Sequence, residues 1–355
     1  MANPNPKDSI KSTWRTGDRS EWTLIHWILE LSNALPVARV PVHSKQDKIP
    51  YLSQWPQHLW ILFHAFIPLA LHQAWLSLTG HSGLGKLAVF VVYFGGFSFS
   101  VIRTLHIFRR LAHIHGFLDG DVHHRDGVPD AAVGKVVASL PKSAGARVAM
   151  AVHLTYSRDE APLTAMTDVK WWLWLCLATG IYGIILDFWF YWYHRAMHDI
   201  APLWKFHRTH HLTKHPNVLM TIFGDHEQEF FDMAGVPLMT YLTFWALGMP
   251  LGFYDWWICH QYVVYAELGG HTGVRLYASA PSTLSWLLKA FDVDIITEDH
   301  DLHHRTGYRK SHNYGKQTRL WDRVFGTCHE RIEAVATNID YVNEARIPFA
   351  WYGLV

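Results

Sequence analysis

The sequence predicts an all-α integral membrane protein, with helical hairpins in the bilayer capped by a histidine-rich helical domain at the membrane face. Three observations carry this reading. Four long stretches contain no Asp, Glu, Lys or Arg: Ile49–Gly85, Leu87–Ile102, Trp171–Leu186 and Ala234–Tyr254. Histidine occurs 26 times in 355 residues, and eight of these fall in three short blocks, "HRAMH" at 194–198, "HRTHH" at 207–211 and "HDLHH" at 300–304. Within each block the histidines are spaced three and four apart, which places side chains on one face of a helix.

Taken in order, residues 1–57 form a polar N-terminal segment of mixed charge. It has no apolar core beside a basic start, so no cleavable signal peptide is expected and targeting falls to the internal apolar helices. Residues 58–170 read as membrane-anchoring helices followed by a polar loop. A spanning helix takes about 20 mostly apolar residues, with roughly 17 as the lower end. The first and fourth uncharged runs meet that length, and the two shorter ones gain interface residues, "HIFRR" after the second and "FWFYWYH" at the end of the third. Between them, Arg103–Lys170 is polar, and "DGDVHHRDGVPD" within it reads as turn and loop. His113, His115, His123 and His124 lie here without the spacing of the blocks and are read as surface histidines. Residues 171–330 carry the three blocks, and 331–355 form a tail. Between the second and third blocks, Ala234–Ala266 is almost apolar but interrupted by "GMPLG" at 248–252. That break predicts a hairpin of short or tilted helices rather than one crossing.

Composition narrows the function classes. The formal charge is +1, and no basic patch with interleaved aromatics or phosphate-cradling glycine loop is present, so a nucleic-acid partner is excluded. The three cysteines, Cys176, Cys259 and Cys328, are far apart with no Cys-x-x-Cys, which argues against a disulfide framework and a thiolate zinc site.

Histidine is the outlier, and neutral imidazole is the commonest metal ligand. "HRAMH" has the His-x-x-x-His frame of a zinc protease helix without the Glu that follows its first His, so peptide hydrolysis by that route is not expected. No Glu-x-x-His pair of the kind used by soluble di-iron bundles accompanies the blocks. One tetrahedral zinc takes at most four protein ligands. Eight clustered histidines exceed one ion, which makes the cap a di-metal domain. All-nitrogen ligation with open positions suits iron and oxygen chemistry, although imidazole also accepts zinc or copper. Asp187, Tyr191, His194 and His198 recur at i, i+4, i+7 and i+11, one stripe of a helix leaving the third run. Asp187 is therefore expected to receive a ring N–H and orient a metal-binding histidine.

Together "DFWFYWYHRAMH", "HRTHH", "HTG" at 271–273, "HDLHH", "NYG" and "WDRVFGT" resemble the fatty acid hydroxylase and sterol desaturase superfamily of membrane-bound non-haem di-iron oxygenases. The resemblance runs from about Trp171 to Thr327. It implies His194, His198, His207, His210, His211, His271, His300, His303 and His304 as ligands of two iron ions, with O2 as co-substrate. It also implies an apolar lipid, sterol or terpenoid substrate that is hydroxylated, desaturated or further oxidised. The electron donor would be a cytochrome b5-type protein or NAD(P)H-linked reductase, separate because no haem or flavin motif is fused here. The setting implied is a multi-pass membrane protein, of the endoplasmic reticulum in a eukaryote. Two positions depart from the pattern. Glu267 stands four residues before His271, where relatives often carry His or Asn, and "HEQE" at 226–229 replaces His-Pro-x-Glu. On a helix Glu267 shares a face with His271, so it is expected to ligate a metal, to hold His271, or to face solvent. The alternatives to an oxygenase are a zinc-dependent membrane hydrolase or lyase using the same histidines, and a non-catalytic metal-binding or transport protein.

Overall fold

In the computed structural model, which describes residues 8–349, the chain opens with the short helix α1 (Leu24–Leu31) and strand β1 (Ile49–Leu52). Helix α2 (Gln54–Thr79) then ends at Gly80, whose φ of 69° permits the reversal into α3 (Lys86–His115). The uncharged stretches give α2 and the first half of α3 apolar residues on every side. Trp60, Leu69, Tyr93 and Phe97 pack inward, while Phe63, Leu71, Leu78 and Leu87 lie more than half exposed, as a lipid-facing surface requires.

The segment read as a polar loop holds a helix, α4 (Val133–Thr155), which packs on α3 and α1 through Val136, Val148, Ala151 and Val152. His123 and His124 are exposed as expected, whereas His113 and His115 are half-buried on the last turn of α3. The six-residue α5 (Pro162–Thr167) leads to α6 (Val169–Asp199), 31 residues in one unbroken helix. At 1.5 Å per residue α6 is about 46 Å long, whereas a bilayer core is about 30 Å thick. A helix that enters the core at its first turns therefore carries His194 and His198 out beyond it. Among the described residues, α2, α3 and α6 are the helices long and apolar enough to cross a membrane.

After α6 come α7 (Ala201–His207), α8 (His226–Phe230), a π turn over Phe231–Gly235 and α9 (Val236–Ala246). The chain breaks at Leu247–Gly252, with Gly248 at φ 71°, and enters α10 (Phe253–His271). The fourth uncharged run is thus two helices separated by the expected break. Both pack on α6, and α10 also contacts α2, α3, α4 and α12, so it forms the centre of the bundle. α11 (Ser285–Ala290), α12 (Thr297–Arg305) and α13 (Leu320–Val324) complete the helices.

A small sheet interrupts the helical architecture. β1 lies between β2 (Tyr277–Ala278) and β3 (Ile339–Asp340), parallel to both, with Tyr51 opposite Tyr277 and Ile49 opposite Ile339. The N-terminal segment and the tail are therefore tied to the part of the chain that carries the histidine blocks.

Candidate metal centre

The nine histidines converge in two adjoining groups. Nitrogens of His194, His198, His207, His211 and His303 lie within 4.8 Å of one another, and those of His210, His271, His300 and His304 form a second set with the same limit. All nine are buried. α6 supplies His194 and His198, the end of α10 supplies His271, and α12 supplies His300, His303 and His304.

The second block differs from the expected single helix. His207 ends α7, and His210 and His211 stand on a 3-10 turn, Thr209 being its N-cap. Each His-x-x-His-His block is divided between the groups. Its i, i+4 pair goes one way and its i+3 ring goes the other: His207 and His211 against His210, and His300 and His304 against His303. One block thus lends a pair to each group, and adjacent residues such as His210 and His211, ring centroids 5.5 Å apart, join the two.

Hydrogen bonds fix which nitrogen points inward. Nδ1–H donates from His194 to the Tyr314 carbonyl (2.7 Å), from His198 to Arg309 O (3.1 Å), from His207 to Gln228 Oε1 (3.0 Å) and from His303 to His312 O (2.6 Å). In the other group Nδ1–H donates from His210 to Phe223 O (2.9 Å), from His271 to Glu267 O (2.9 Å) and from His304 to Thr213 O (3.3 Å). A carbonyl only accepts, so each of these neutral rings carries its proton on Nδ1 and a lone pair on Nε2. Yet His194 Nε2 faces His207 Nε2 at 3.0 Å, and His210 Nε2 faces His271 Nε2 at 3.3 Å. Lone pairs facing one another repel unless a cation lies among them. Protons are a poor choice, because burial drives the pKa of His207 well down, that of His210 to about 3 and that of His271 to about 4. These inward lone pairs on buried, oriented neutral imidazoles therefore fit metal binding in either group.

The acids of α12 point away from this centre. Glu298 accepts N–H groups from Ile332, Glu333 and Ala334, Asp299 pairs with Arg331 and Arg319, and Asp301 pairs with Arg125. These contacts hold the helix that presents three of the nine rings.

Asp187 corrects its expected role. It lies on the buried stripe with Tyr191, His194 and His198, but it receives no ring N–H. Its carboxylate accepts the backbone N–H groups of Lys316 (2.7 Å), Gln317 (3.0 Å) and Thr318 (3.2 Å) and the Thr318 hydroxyl (2.8 Å). Two turns from His194, it is too far along the helix for that ring, and it acts instead on the loop whose Tyr314 carbonyl holds it.

Glu267 does not face solvent, and its carboxylate holds no histidine. It accepts Arg147 Nη2 on both oxygens at 2.9 Å and pairs with Lys316 Nζ at 2.8 Å. Burial opposes its charge, but the two cations outweigh it and hold its pKa at about 2. What reaches His271 is the Glu267 backbone carbonyl. His226 is exposed, pairing with Glu229 outside both groups.

No pattern in the sequence marks Gln228, Arg147, Asp232 and Lys316. None stands at a metal-ligand spacing, and the only local sign was the altered "HEQE" that contains Gln228. All four line one cavity of about 90 Å³, whose wall also includes His194 and His207 of one group and His210, His271 and His300 of the other. Phe108, Leu111, Phe190, Val274 and Leu276 give it an apolar side.

Comparison with known proteins places this centre. The fatty acid hydroxylase family model matches residues 179–327, which include all nine histidines. The chain is 45% identical over 312 residues to fatty acid hydroxylase vlmA of Lecanicillium sp, covering 86% of this chain and 85% of that one. The chain belongs to the fatty acid hydroxylase family. Other relatives are more distant. Alkylglycerol monooxygenase of Xenopus tropicalis is 23% identical over 231 residues, 63% of this chain and 45% of its own length. Delta(7)-sterol-C5(6)-desaturase of Nicotiana tabacum is 30% identical over 169 residues, 47% of this chain and 55% of its own. No solved structure matches the chain. Membership of a hydroxylase family makes this protein an oxidoreductase.

Proposed function

We propose that the nine histidines hold two iron ions, one among His194, His198, His207, His211 and His303 and the other among His210, His271, His300 and His304. The reaction proposed is hydroxylation of an unactivated C–H bond in a membrane-partitioning, lipid-like substrate, RH + O2 + 2 electrons + 2 protons giving ROH + H2O. Desaturation or further oxidation uses the same oxidant. Iron supplies the capacity to bind and reduce O2 that no side chain offers.

The chain's own part is orientation and exclusion. Carbonyls of Tyr314, Arg309, His312, Phe223, Thr213 and Glu267 fix the rings before any ligand arrives. The apolar wall from Phe108 to Leu276 keeps bulk water from the reacting carbon. α6 connects a membrane-length apolar stretch directly to His194, which suits a substrate arriving from lipid. Electrons come from a separate donor, a cytochrome b5-type protein or an NAD(P)H-linked reductase, with the endoplasmic reticulum as the setting in a eukaryotic cell.

The observation that carries the reading is the double set of inward lone pairs on one cavity wall. Two-ion sites also serve hydrolases, and what favours oxygen chemistry here is the all-nitrogen ligand set, which suits iron, in a chain of a hydroxylase family. Turnover under 18-oxygen gas is the test. Label in an alcohol product is expected for hydroxylation, and O2 consumption without label for desaturation. Undiminished turnover without O2 and reductant would overturn the proposal in favour of zinc hydrolysis.

A further inference from the structure

The cavity beside the metal centre has a polar end that the metals do not explain. Arg147 on α4 is 2% exposed and reaches the cavity wall. Only its Nη2 is engaged, by Glu267 and, at 3.4 Å, by the Asp232 carbonyl. Nε and Nη1 are buried and have no partner. Lys316 Nζ is already committed, bonded to Glu267 and set 3.8 Å over the Phe190 ring. Asp232 Oδ1, on the π turn Phe231–Gly235, is likewise buried and unpartnered. A buried guanidinium with two unengaged nitrogens is costly to leave unsatisfied, and its planar N–H groups suit an oxygen-bearing group of trigonal geometry.

We infer that Arg147 binds the carbonyl oxygen of an acyl substrate, a fatty acid or its ester, and thereby sets which carbon of the chain meets the metal centre. The inference rests on the oxygenase reading for its second half alone, since binding requires no turnover. Placement favours it. Glu267 joins Arg147 to His271 within a single turn of α10, so the polar end lies next to one histidine group, and Leu111, Val274 and Leu276 are left for the alkyl chain. Glu267, itself held by Lys316, grips the guanidinium through Nη2, so the free nitrogens are fixed before the substrate enters. Asp232 Oδ1 is an acceptor for the hydroxyl of a protonated acid, which an ester lacks.

The test separates binding from chemistry. Purified protein in detergent, under argon, is loaded with the fluorescent fatty acid cis-parinaric acid and titrated with hexadecanoic acid, methyl hexadecanoate or hexadecane. The wild type is expected to release the probe at about ten- to hundredfold lower concentrations of the acid than of hexadecane, the range for a hydrogen bond to a charged group. Equal potency of the ester assigns the site to the carbonyl alone, and weaker ester binding assigns it to the free acid. R147Q, in which Glu267 keeps Lys316 as its partner, and R147K, which leaves a cation on Glu267, are read alongside with metal content as the check on folding. Loss of the preference for the acid, with oxygen spread over several chain positions in the aerobic product, supports the assignment. A wild type that does not discriminate, or a folded variant that keeps the full preference, overturns it. If binding behaves as expected but no product forms with O2 and reductant, it is the oxygenase reading that fails.

Discussion

Removing the Asp187 carboxylate tests how the loop at 314–318 is held. Asp187 is fully buried and accepts four hydrogen bonds, three from consecutive backbone N–H groups and one from a hydroxyl. In Asp187→Ala all four donors lose their acceptor. At about 1 kcal/mol per lost bond the cost is about 4 kcal/mol, inside the range of about 3–5 kcal/mol for breaking a buried charged contact. Asp187→Asn keeps Oδ1 for Lys316 and Gln317 but turns an NH2 toward the Thr318 N–H. The Thr318 hydroxyl can rotate to accept, so one backbone donor stays unpaired, at about 1–3 kcal/mol. Thermal unfolding in detergent should therefore rank wild type above Asn above Ala, with Ala lower by roughly 5–10 °C. Iron loss should follow the same order, because the same loop carries the carbonyl that holds His194 and the amine that pairs with Glu267. An unchanged midpoint in Asp187→Ala, or iron loss in Asp187→Asn with full thermal stability, would refute this account and return Asp187 to a direct role on the histidines.

Three further outcomes follow from the division of the histidines. His207→Ala should deplete one group and His300→Ala the other, leaving about one iron in each variant and abolishing turnover in both; loss of both ions from one substitution would mean that the groups are not separable. Gln228→Leu removes the acceptor that orients His207, so iron in that group should exchange to a chelator about 10–100-fold more readily, and an unaltered rate would show that the ring needs no such partner. Glu267→Gln should retain both irons, since its carboxylate meets Arg147 and Lys316 rather than a ring, while thermal stability falls by about 3–5 kcal/mol in the case of an unrelieved buried charge; selective loss of iron with unchanged stability would instead indicate direct ligation.

Much of this architecture is legible because it depends on spacing and on the absence of charge. The runs that become α2, α3 and α6 have no charged residue to interrupt them, and "GMPLG" marks where α9 ends. The stripe Asp187–Tyr191–His194–His198 is helical in the sequence and buried in the structure. What escapes notice depends on residues distant in the chain. Whether His210 continues the helix of His207 is decided by the need to face another group, and Phe223 O, which holds it, lies 13 residues on. α4 has inward residues at Val133, Val136, Ala144, Arg147, Val148 and Ala151, a helical period, but Pro141, Gly145 and scattered lysines obscure it. Arg147 meets Glu267 across 120 residues, a pairing that no local pattern announces. Strands of two residues such as β2 and β3 carry no periodicity, so the parallel sheet could be known only from the fold.

Everything proposed for the reaction depends on the nine histidines forming two metal sites that both hold iron. This is tested most directly by elemental analysis and Mössbauer spectroscopy of protein prepared aerobically with 57-iron. The expected result is two iron atoms per chain, both in nitrogen-rich environments and both reduced on addition of dithionite. A single iron per chain, or zinc in both sites of an active preparation, would contradict it.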